Sequence, residues 1–220
     1  MPRSSNGRAA SLHGADGSSI LSRGTNDYFG INNCMKIAVT GHTSGIGLAT
    51  YNLLQEHNHI VQGFSRSNGF DLTNQAERTS MYQILKNEQF DCLINNAYPY
   101  QSAYGTNGFM QTAILNDVWK IWRSDPGKTI ITIGSLGADH VKNQQMPYAI
   151  HKKSIDDTAK QLRLACQYPQ VTVIKPSWVD TPAVKQFDGN KCTAQQVAEI
   201  ILWILNCQVR ILDITFEKLV

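Results

Sequence analysis

The sequence predicts an α/β protein with a single doubly wound parallel sheet of about seven strands and helices on both faces. Three observations predict this fold class. Short β-branched runs alternate with segments of helical periodicity, the first run ends in a glycine-rich turn, and that turn leads directly into a helix. Ile37 to Val39 forms the first strand, and Gly41, Gly45 and Gly47 follow it.

The glycine-rich turn also predicts a ligand. Glycine has no Cβ, so backbone N–H groups in such a turn can approach a pyrophosphate closely, and the dipole of the following helix adds attraction. The turn therefore indicates a dinucleotide site in a Rossmann fold. Taken alone, the turn also fits the lesser alternative of a tight connection between a strand and a helix, in which the glycines serve the backbone only.

Length and composition narrow the function classes. The chain has 220 residues, 42% of them hydrophobic, which is enough for the core of one domain. A membrane-spanning helix needs about 18 consecutive apolar residues, and no apolar run in the sequence approaches that length. No membrane partner is therefore predicted. The net charge of +3 comes from scattered basic residues, which argues against nucleic acid. Five cysteines without CxxC spacing predict reduced thiols in a cytoplasmic protein and no metal site.

Residues 1–34 differ from the rest of the chain. Ser, Gly, Asn and Arg dominate, and neither strand nor helix periodicity is present. The longest apolar stretch is too short for a secretory signal. We expect a disordered segment or an upstream extension, with an organelle transit peptide as the lesser alternative, and a folded domain over residues 35–220.

The remaining elements follow in order. Further strands are predicted over His59–Phe64, Asp91–Ile94, Lys128–Gly134, Gln170–Ile174 and Gln208–Phe216. Helices are predicted after the glycine turn and over Gln75–Asn87, Asn107–Arg123, Tyr148–Gln167 and Ala194–Leu205, the last capped by Thr193. Only about ten residues, Pro182 to Lys191, precede Thr193, which predicts a short lid over an open pocket.

Three residues in the second half of the chain carry candidate chemistry. Ser135 follows a buried strand, Tyr148 comes thirteen residues later, and Lys152 lies one helical turn beyond Tyr148. A free tyrosine has a pKa of about 10. An ammonium about 4 Å away at an effective dielectric of about 20 interacts by about 4 kcal/mol. We therefore expect Lys152 to lower the pKa of Tyr148 toward neutrality, where a general acid or base works best.

These motifs together resemble the short-chain dehydrogenases/reductases. TGHTSGIG after the first strand, NNA after a later strand, Ser135 and the YAIHK segment occur in that family's order over residues 35–182. The resemblance implies hydride transfer between a nicotinamide cofactor and a carbonyl or secondary-alcohol substrate. It implies that Tyr148 is the general acid/base, that Ser135 holds the substrate oxygen and that Lys152 binds the nicotinamide ribose.

The family also has an asparagine that holds a water relaying protons to the lysine. Asn107 lies 28 residues before Ser135, close to the family spacing, and Asn116 lies 19 before it. The spacing favours Asn107. The resemblance further implies a homodimer or homotetramer formed through the helices over Asn107–Arg123 and Tyr148–Gln167.

The resemblance places the cofactor against three segments. These are the glycine turn, the segment after the NNA strand, and the segment that follows the Gln170–Ile174 strand. The implied residues are Gly41, Thr43, Ser44, Gly45, Ile46, Gly47, Asn95, Asn96, Ala97, Pro176, Ser177, Val179 and Thr181, together with Tyr148 and Lys152.

The loop after the second strand bears on the choice of cofactor. Such a loop faces the adenosine ribose, where a carboxylate would favour NAD(H). Here Ser65 and Arg66 stand instead, and a guanidinium suits a 2′-phosphate, so NADP(H) is favoured and NAD(H) stays possible. Arg66 is alternatively a solvated loop residue. Asp71 and Leu72 stand where the family contacts adenine, although Asp71 is equally suited to cap the next helix.

Departures from the family pattern support other hypotheses. Tyr98 and Ser177 replace glycines, and the lid is short. These features favour, as the main alternative, a non-catalytic NAD(P)-binding sensor or regulator. A third hypothesis, an epimerase or dehydratase of the extended branch, lacks that branch's glycine spacing and large C-terminal domain. The aromatic candidates to line the pocket are Tyr98, Tyr104, Trp178 and Phe187.

Overall fold

A computed structural model describes residues 34–100, 105–139, 146–186 and 188–219. The strands are β1 (Lys36–Thr40), β2 (Ile60–Phe64), β3 (Cys92–Asn95), β4 (Thr129–Ile133), β5 (Gln170–Pro176), β6 (Val179–Asp180), β7 (Cys192–Thr193) and β8 (Asp213–Phe216). The α-helices are α1 (Gly45–Glu56), α2 (Gln75–Asn87), α3 (Met110–Ile121), α4 (Met146–Ala165) and α5 (Ala194–Leu205). The predicted extension over residues 1–34 lies almost wholly outside the described residues.

One parallel sheet organises the described part of the chain, with the strand order β2-β1-β3-β4-β5-β8. The strand order reverses direction at β1, which lies between β2 and β3. In open α/β sheets a ligand crevice forms at this switch point, beyond the carboxyl ends of the strands. The glycine turn after β1 and the NNA segment after β3 both lie at this point, as the doubly wound fold predicts.

Helices cover both faces of the sheet because its strands are apolar on both sides. Ile37 and Val39 pack on one face with α1 and α5, where Leu54 and Ile201 are fully buried. Ala38 points to the other face, which α2, α3 and α4 cover. The two layers bury β1 on both faces, and its glycine turn follows at the carboxyl end of the strand.

The main sheet has six strands over the described residues, in keeping with the about seven predicted. Six residues lie between Phe64 at the end of β2 and Asp71, and they contain only a 3₁₀ turn, Arg66–Asn68. A further parallel strand needs a crossover of about a dozen residues or more, so this segment is too short to add one. As a result β2 is an edge strand, and the loop after it is open to solvent.

Most other elements lie where the sequence predicts them. The helices Gln75–Asn87 and Ala194–Leu205 are confirmed to the residue. The predicted helix Asn107–Arg123 is shorter, because its first turn is 3₁₀ and α3 begins at Met110. The predicted strand Gln208–Phe216 is reduced to the four residues of β8. None of the helices in the described segments is long and apolar enough to cross a membrane.

Candidate active site

The glycine turn forms a close-packed cradle at the carboxyl end of β1. Gly41 and Gly45 adopt positive φ angles of 70° and 54°, which disfavour any other residue. A Cβ on Gly47 would lie 2.1 Å from the Gly41 carbonyl oxygen. Thr43 and Ser44 are exposed in the turn, and the Ser44 side chain makes no capping hydrogen bond to α1. The first turn of α1 thus has backbone N–H groups without helical acceptors, beside the exposed side chains of Thr43 and Ser44, a combination suited to a phosphate.

The NNA segment locks the end of β3 to the end of β1. The backbone N–H groups of Asn96 and Ala97 donate to Thr40 Oγ1 at 2.9 and 3.0 Å, and Asn96 Nδ2 donates to the Thr40 carbonyl at 3.0 Å. Asn95 Nδ2 donates to the Gln111 carbonyl at 2.8 Å, which ties β3 to α3. Asn96 thus supports the floor of the crevice directly beneath the glycine turn.

The loop after β2 places one basic side chain in solvent at the crevice rim. Ser65 is buried and caps the 3₁₀ turn, and its backbone N–H donates to Asn68 Oδ1 at 2.9 Å. Arg66 is exposed. Its charge contributes to lowering the pKa of Asp71, so the two side chains face the same region.

Asp71 does not cap α2, which corrects one of the two roles considered for it. Its carboxylate accepts from the Thr73 hydroxyl at 2.7 Å and from the Thr73 backbone N–H at 3.1 Å, and these bonds lower its pKa. The N-cap of α2 is Asn74, whose side chain accepts from the Ala76 N–H at 2.8 Å. Leu72 is buried beside Asp71. The adenine role stays a prediction.

The catalytic candidates Ser135 and Tyr148 come together at the carboxyl end of β4. Ser135 is buried, and its Oγ accepts from the Gly137 N–H at 3.0 Å. Burial raises the pKa of Tyr148, while hydrogen bonding to the Ser135 and Tyr100 hydroxyls lowers it in part. The two hydroxyls of Ser135 and Tyr148 can therefore share one acceptor oxygen placed in the crevice.

Lys152 is held from below by an amide that the sequence analysis did not single out. Its Nζ donates to Gln111 Oε1 and to the Ile133 carbonyl, both at 2.8 Å. Gln111 is fully buried, and its Nε2 donates to the Asn95 carbonyl at 2.7 Å and to the Ile133 carbonyl at 3.0 Å. Gln111 thus joins β3, β4 and α4 through one side chain.

Lys152 does not lower the pKa of Tyr148 in this structure, contrary to the expectation from the sequence. Its Nζ lies 5.7 Å from the centre of the Tyr148 ring. Burial lowers the pKa of Lys152 to about 7, which the charge of Asp156 partly opposes. A lysine that is only partly charged near neutrality attracts a phenolate weakly, so burial dominates at Tyr148 and its pKa rises.

Neither asparagine considered for the fourth catalytic position is directly hydrogen-bonded to Lys152 Nζ among the described residues, and the role predicted through a water stays a prediction. Asn107 lies in the 3₁₀ turn Gly105–Phe109, and Asn116 lies in the second half of α3. Both are half-buried. Among the described residues, the side chain bonded to Lys152 Nζ is that of Gln111, four residues beyond Asn107.

The segment after β5 returns the chain to the glycine turn. Pro176 ends β5, and the Ser177 N–H donates to the Phe216 carbonyl at 2.9 Å. Val179 is buried in β6, and Thr181 begins the next 3₁₀ turn. The Thr181 Cγ2 lies 3.0 Å from where a Cβ on Gly45 would be. Thr181 therefore lies against the glycine turn. Tyr104 and Phe187, two of the predicted pocket residues, lie outside the described residues.

Aromatic rings surround Tyr148 and Lys152. The Tyr98 ring lies edge-on to Tyr148, with centroids 5.2 Å apart, and Lys152 Nζ lies 4.9 Å from the Tyr98 ring centre. The Tyr98 hydroxyl is hydrogen-bonded to His151 Nδ1 at 2.9 Å. Tyr100 stacks on Tyr148 at 6.0 Å, with an interplanar angle of 19°. Tyr98, which stands where the family has a glycine, therefore lies against the catalytic candidates Tyr148 and Lys152.

Comparison with known proteins gives a clear result for structure and none for sequence. No protein-family model and no curated protein matches the chain. A 3-alpha-hydroxysteroid dehydrogenase from Pseudomonas complexed with NADH covers 83% of this chain and 95% of its own, with a TM-score of 0.66 and 20% identity. The chain has the fold of the short-chain dehydrogenases/reductases.

Two further structures with this fold agree. A short chain dehydrogenase from Burkholderia cenocepacia in complex with NADP covers 84% of this chain and 88% of its own, with a TM-score of 0.67 and 17% identity. A 3-ketoacyl-(acyl-carrier-protein) reductase from Brucella melitensis complexed with NADH covers 85% and 98%, with a TM-score of 0.69 and 13% identity. The three structures together match between 83% and 85% of this chain.

Sequence reasoning missed two residues that the structure brings into this site. Gln111 lies within a helix and matches no motif, so nothing in the sequence indicated that it belongs to the site. His151 precedes Lys152, and the helical step alone does not reveal that it meets Tyr98 across the site. In both cases the partner is at least 41 positions away in the chain. Such contacts depend on how α3, α4 and the loop after β3 pack together.

Proposed function

We propose that the protein is an oxidoreductase that transfers a hydride between a nicotinamide cofactor and a carbonyl or secondary-alcohol substrate. One observation carries the proposal. Ser135, Tyr148 and Lys152 lie together at the carboxyl ends of the strands, within a fold whose similar structures were solved with NADH or NADP. The arrangement brings a proton donor and an oxygen-binding hydroxyl to the crevice bordered by the glycine turn.

The residues around the crevice fit a dinucleotide. The cradle of Gly41, Gly45 and Gly47 leaves no room for a Cβ at Gly47, and the α1 N-terminus points into it. When bound, the cofactor supplies or accepts the hydride. Lys152 would hold its nicotinamide ribose, and Val179 and Thr181 would border its carboxamide and phosphates.

The chain's own residues manage the proton. Tyr148 would donate its proton to the carbonyl oxygen, or accept one from an alcohol in the reverse direction. Ser135 would hold that oxygen by a hydrogen bond while the charge on it develops. Gln111, in place of an asparagine and its water, fixes Lys152 by direct contact at 2.8 Å.

Arg66 supports a preference for NADP(H) over NAD(H). Its guanidinium is exposed after the edge strand β2, and Ser65 stands where a carboxylate would select the ribose hydroxyl. Asp71 lies close enough to Arg66 for its pKa to respond, so the phosphate would compete with this carboxylate for the guanidinium. The preference is therefore proposed to be moderate.

Two measurements test the proposed activity. Titration with NADPH and NADH, followed by nicotinamide fluorescence, establishes whether and how tightly each binds. A panel of aldehydes and ketones is then screened by loss of NADPH absorbance. Tyr148→Phe is expected to retain cofactor binding and lose turnover by at least a hundredfold, whereas Tyr82→Phe on α2 serves as the matched control. Retained turnover in Tyr148→Phe would contradict the proposed mechanism.

One observation favours a second candidate, a non-catalytic NAD(P) sensor. Tyr98 stands against both Tyr148 and Lys152, where a catalytic site normally leaves space. A sensor would bind a dinucleotide and show no turnover with any carbonyl of the panel. The same two measurements therefore separate the two candidates.

We also propose that the protein acts in the cytoplasm as a homodimer or homotetramer. Ile150 and Leu164 on α4 are 48% and 87% exposed, and apolar side chains of this size favour burial against a partner. All five cysteines are free, which suits a reducing compartment. Sedimentation at micromolar concentration tests the assembly, and a monomer would contradict it.

A further inference from the structure

Tyr98 occupies the space in front of Lys152. The lysine is buried, and two of its three N–H groups donate to Gln111 and Ile133. The third N–H has no acceptor among the described residues. On the open side of the ammonium stand the rings of Tyr98, at 4.9 Å, and of Tyr148, at 5.7 Å. A ligand oxygen that binds Lys152 must therefore approach past these rings.

The distance leaves no room for a ribose hydroxyl between Lys152 and Tyr98. Such a hydroxyl lies about 3 Å from Nζ when it accepts a hydrogen bond. With the ring centre at 4.9 Å from Nζ, an oxygen on that line would lie about 2 Å from the ring centre, well inside the contact distance of about 3.5 Å. The ring and a ribose on that side exclude each other.

Three features hold Tyr98 in this position. Its hydroxyl is hydrogen-bonded to His151 Nδ1 at 2.9 Å. His151 is only 5% exposed, and Phe109 packs edge-on against it at 4.6 Å. Gly108 makes space for the imidazole, because a Cβ there would lie 1.8 Å from His151 Cε1. Burial and the neighbouring Lys152 lower the pKa of His151, so the ring is neutral near pH 7 and has a nitrogen that can accept from a hydroxyl.

We propose that Tyr98 competes with the nicotinamide ribose for Lys152, and that His151 is the positioning residue that holds Tyr98 in place. The inference rests on the proposed function, since it concerns the same cofactor. In the free protein the ring covers Lys152. Binding breaks the Tyr98 to His151 hydrogen bond and turns the ring away, and the cation–π contact with Lys152 is exchanged for hydrogen bonds to the ribose.

The consequence is a lowered apparent affinity. When only a fraction of molecules has Tyr98 turned away, the apparent dissociation constant rises by the inverse of that fraction. The observed rate constant of NADPH binding also saturates at the rate of ring displacement. Both effects disappear when the ring is removed.

The experiment is stopped-flow and equilibrium binding of NADPH to the full chain, followed by nicotinamide fluorescence. Tyr98→Gly, which restores the residue usual in the family, is expected to tighten binding at least tenfold and to make the observed rate constant linear in NADPH. Tyr98→Ala is the second variant should glycine destabilise the loop. A thermal melt of each variant checks the fold.

A double-mutant cycle isolates the role of His151. Tyr98→Phe keeps the ring and removes its hydroxyl, whereas His151→Leu removes the hydrogen-bonding partner of that hydroxyl. Each is expected to tighten NADPH binding two- to fivefold, and the double variant is expected to tighten it no more than either alone, because both remove the same bond. Additive effects in the cycle would overturn the role of His151.

The outcomes separate this inference from the proposed function. Unchanged or weaker binding in Tyr98→Gly and Tyr98→Ala, with measurable binding to the unsubstituted chain, would overturn the competition and leave the proposed function standing. Binding only after the ring is removed would support the competition. Failure of every variant to bind either NADPH or NADH would overturn both.

Discussion

Replacing Gln111 with leucine tests the network that holds Lys152. Leucine is close to glutamine in size, so the change removes hydrogen bonds without opening a large cavity. Gln111 is fully buried. The substitution removes its bonds to the carbonyls of Asn95 (2.7 Å) and Ile133 (3.0 Å) and its acceptor for Lys152 (2.8 Å).

The expected loss of stability follows from the groups left behind. The Ile133 carbonyl keeps its bond from Lys152, so two groups lose a partner, the Asn95 carbonyl and Lys152 itself. A buried polar group left unpaired costs about 1–3 kcal/mol. Because Lys152 keeps one of its two acceptors, we expect a loss in the lower half of the combined range of about 2–6 kcal/mol, that is about 2–4 kcal/mol in the free energy of unfolding.

The assay is urea unfolding followed by tryptophan fluorescence at pH 6.5 and at pH 9. At pH 6.5, just below its pKa of about 7, Lys152 is mostly charged, and at pH 9 it is neutral. The loss is expected to be larger at pH 6.5, because an ammonium loses more than an amine when an acceptor is removed. Asn116→Leu, on the same helix and half-buried, is the matched control and is expected to change stability by less than about 1 kcal/mol.

Three results would each refute a part of this reasoning. A loss below about 1 kcal/mol at pH 6.5 would mean that neither Lys152 nor the Asn95 carbonyl depends on Gln111. If Gln111→Leu and Asn116→Leu lost the same free energy of unfolding, the loss would not depend on the particular hydrogen bonds of Gln111. Equal losses at the two pH values would mean that Lys152 does not contribute to the loss of stability. The lost bond to the Asn95 carbonyl would then be its cause.

Three further predictions concern other parts of the site. Gly47→Ala places a methyl group 2.1 Å from the Gly41 carbonyl and should cost about 1–3 kcal/mol of stability, with Gly127→Ala, whose nearest contact would be 3.4 Å, as the unaffected control in thermal melts. Burial lowers the pKa of Lys152 from 10.5 to about 7, so the unfolded chain binds more protons above pH 7. Stability should therefore rise between pH 7.5 and 9.5 by up to about 1.4 kcal/mol per pH unit, and Lys152→Met should flatten that rise in urea titrations. Arg66→Ala should weaken NADPH at least tenfold and leave NADH unchanged, and equal weakening of both would show that Arg66 does not contact the 2′-phosphate.

Local signals account for the elements that the sequence predicts well. Thr193 and Gln196 form the capping box that begins α5. The two residues are only three positions apart, so the signal can be recognised in the sequence. The boundaries of α2 likewise follow from Asn74 at its start. The glycine turn is recognisable because positive φ angles and the close approach of Gly47 to Gly41 require glycine itself.

Errors arose where the outcome depends on distant parts of the chain. The pKa of Tyr148 was predicted from the helical step to Lys152 alone. Burial, together with the bonds that draw Lys152 toward Gln111 and Ile133, reverses the direction.

The sequence by itself determined the order of strands and helices, the glycine turn and the candidate residues Ser135, Tyr148 and Lys152, because each is encoded by residues close together in the chain. Only the tertiary structure decided what surrounds them. Gln111 and Tyr98 reach Lys152 from 41 and 54 positions away, across the packing of three elements. Burial and hydrogen bonding at such contacts depend on distance in space, which spacing along the chain does not specify.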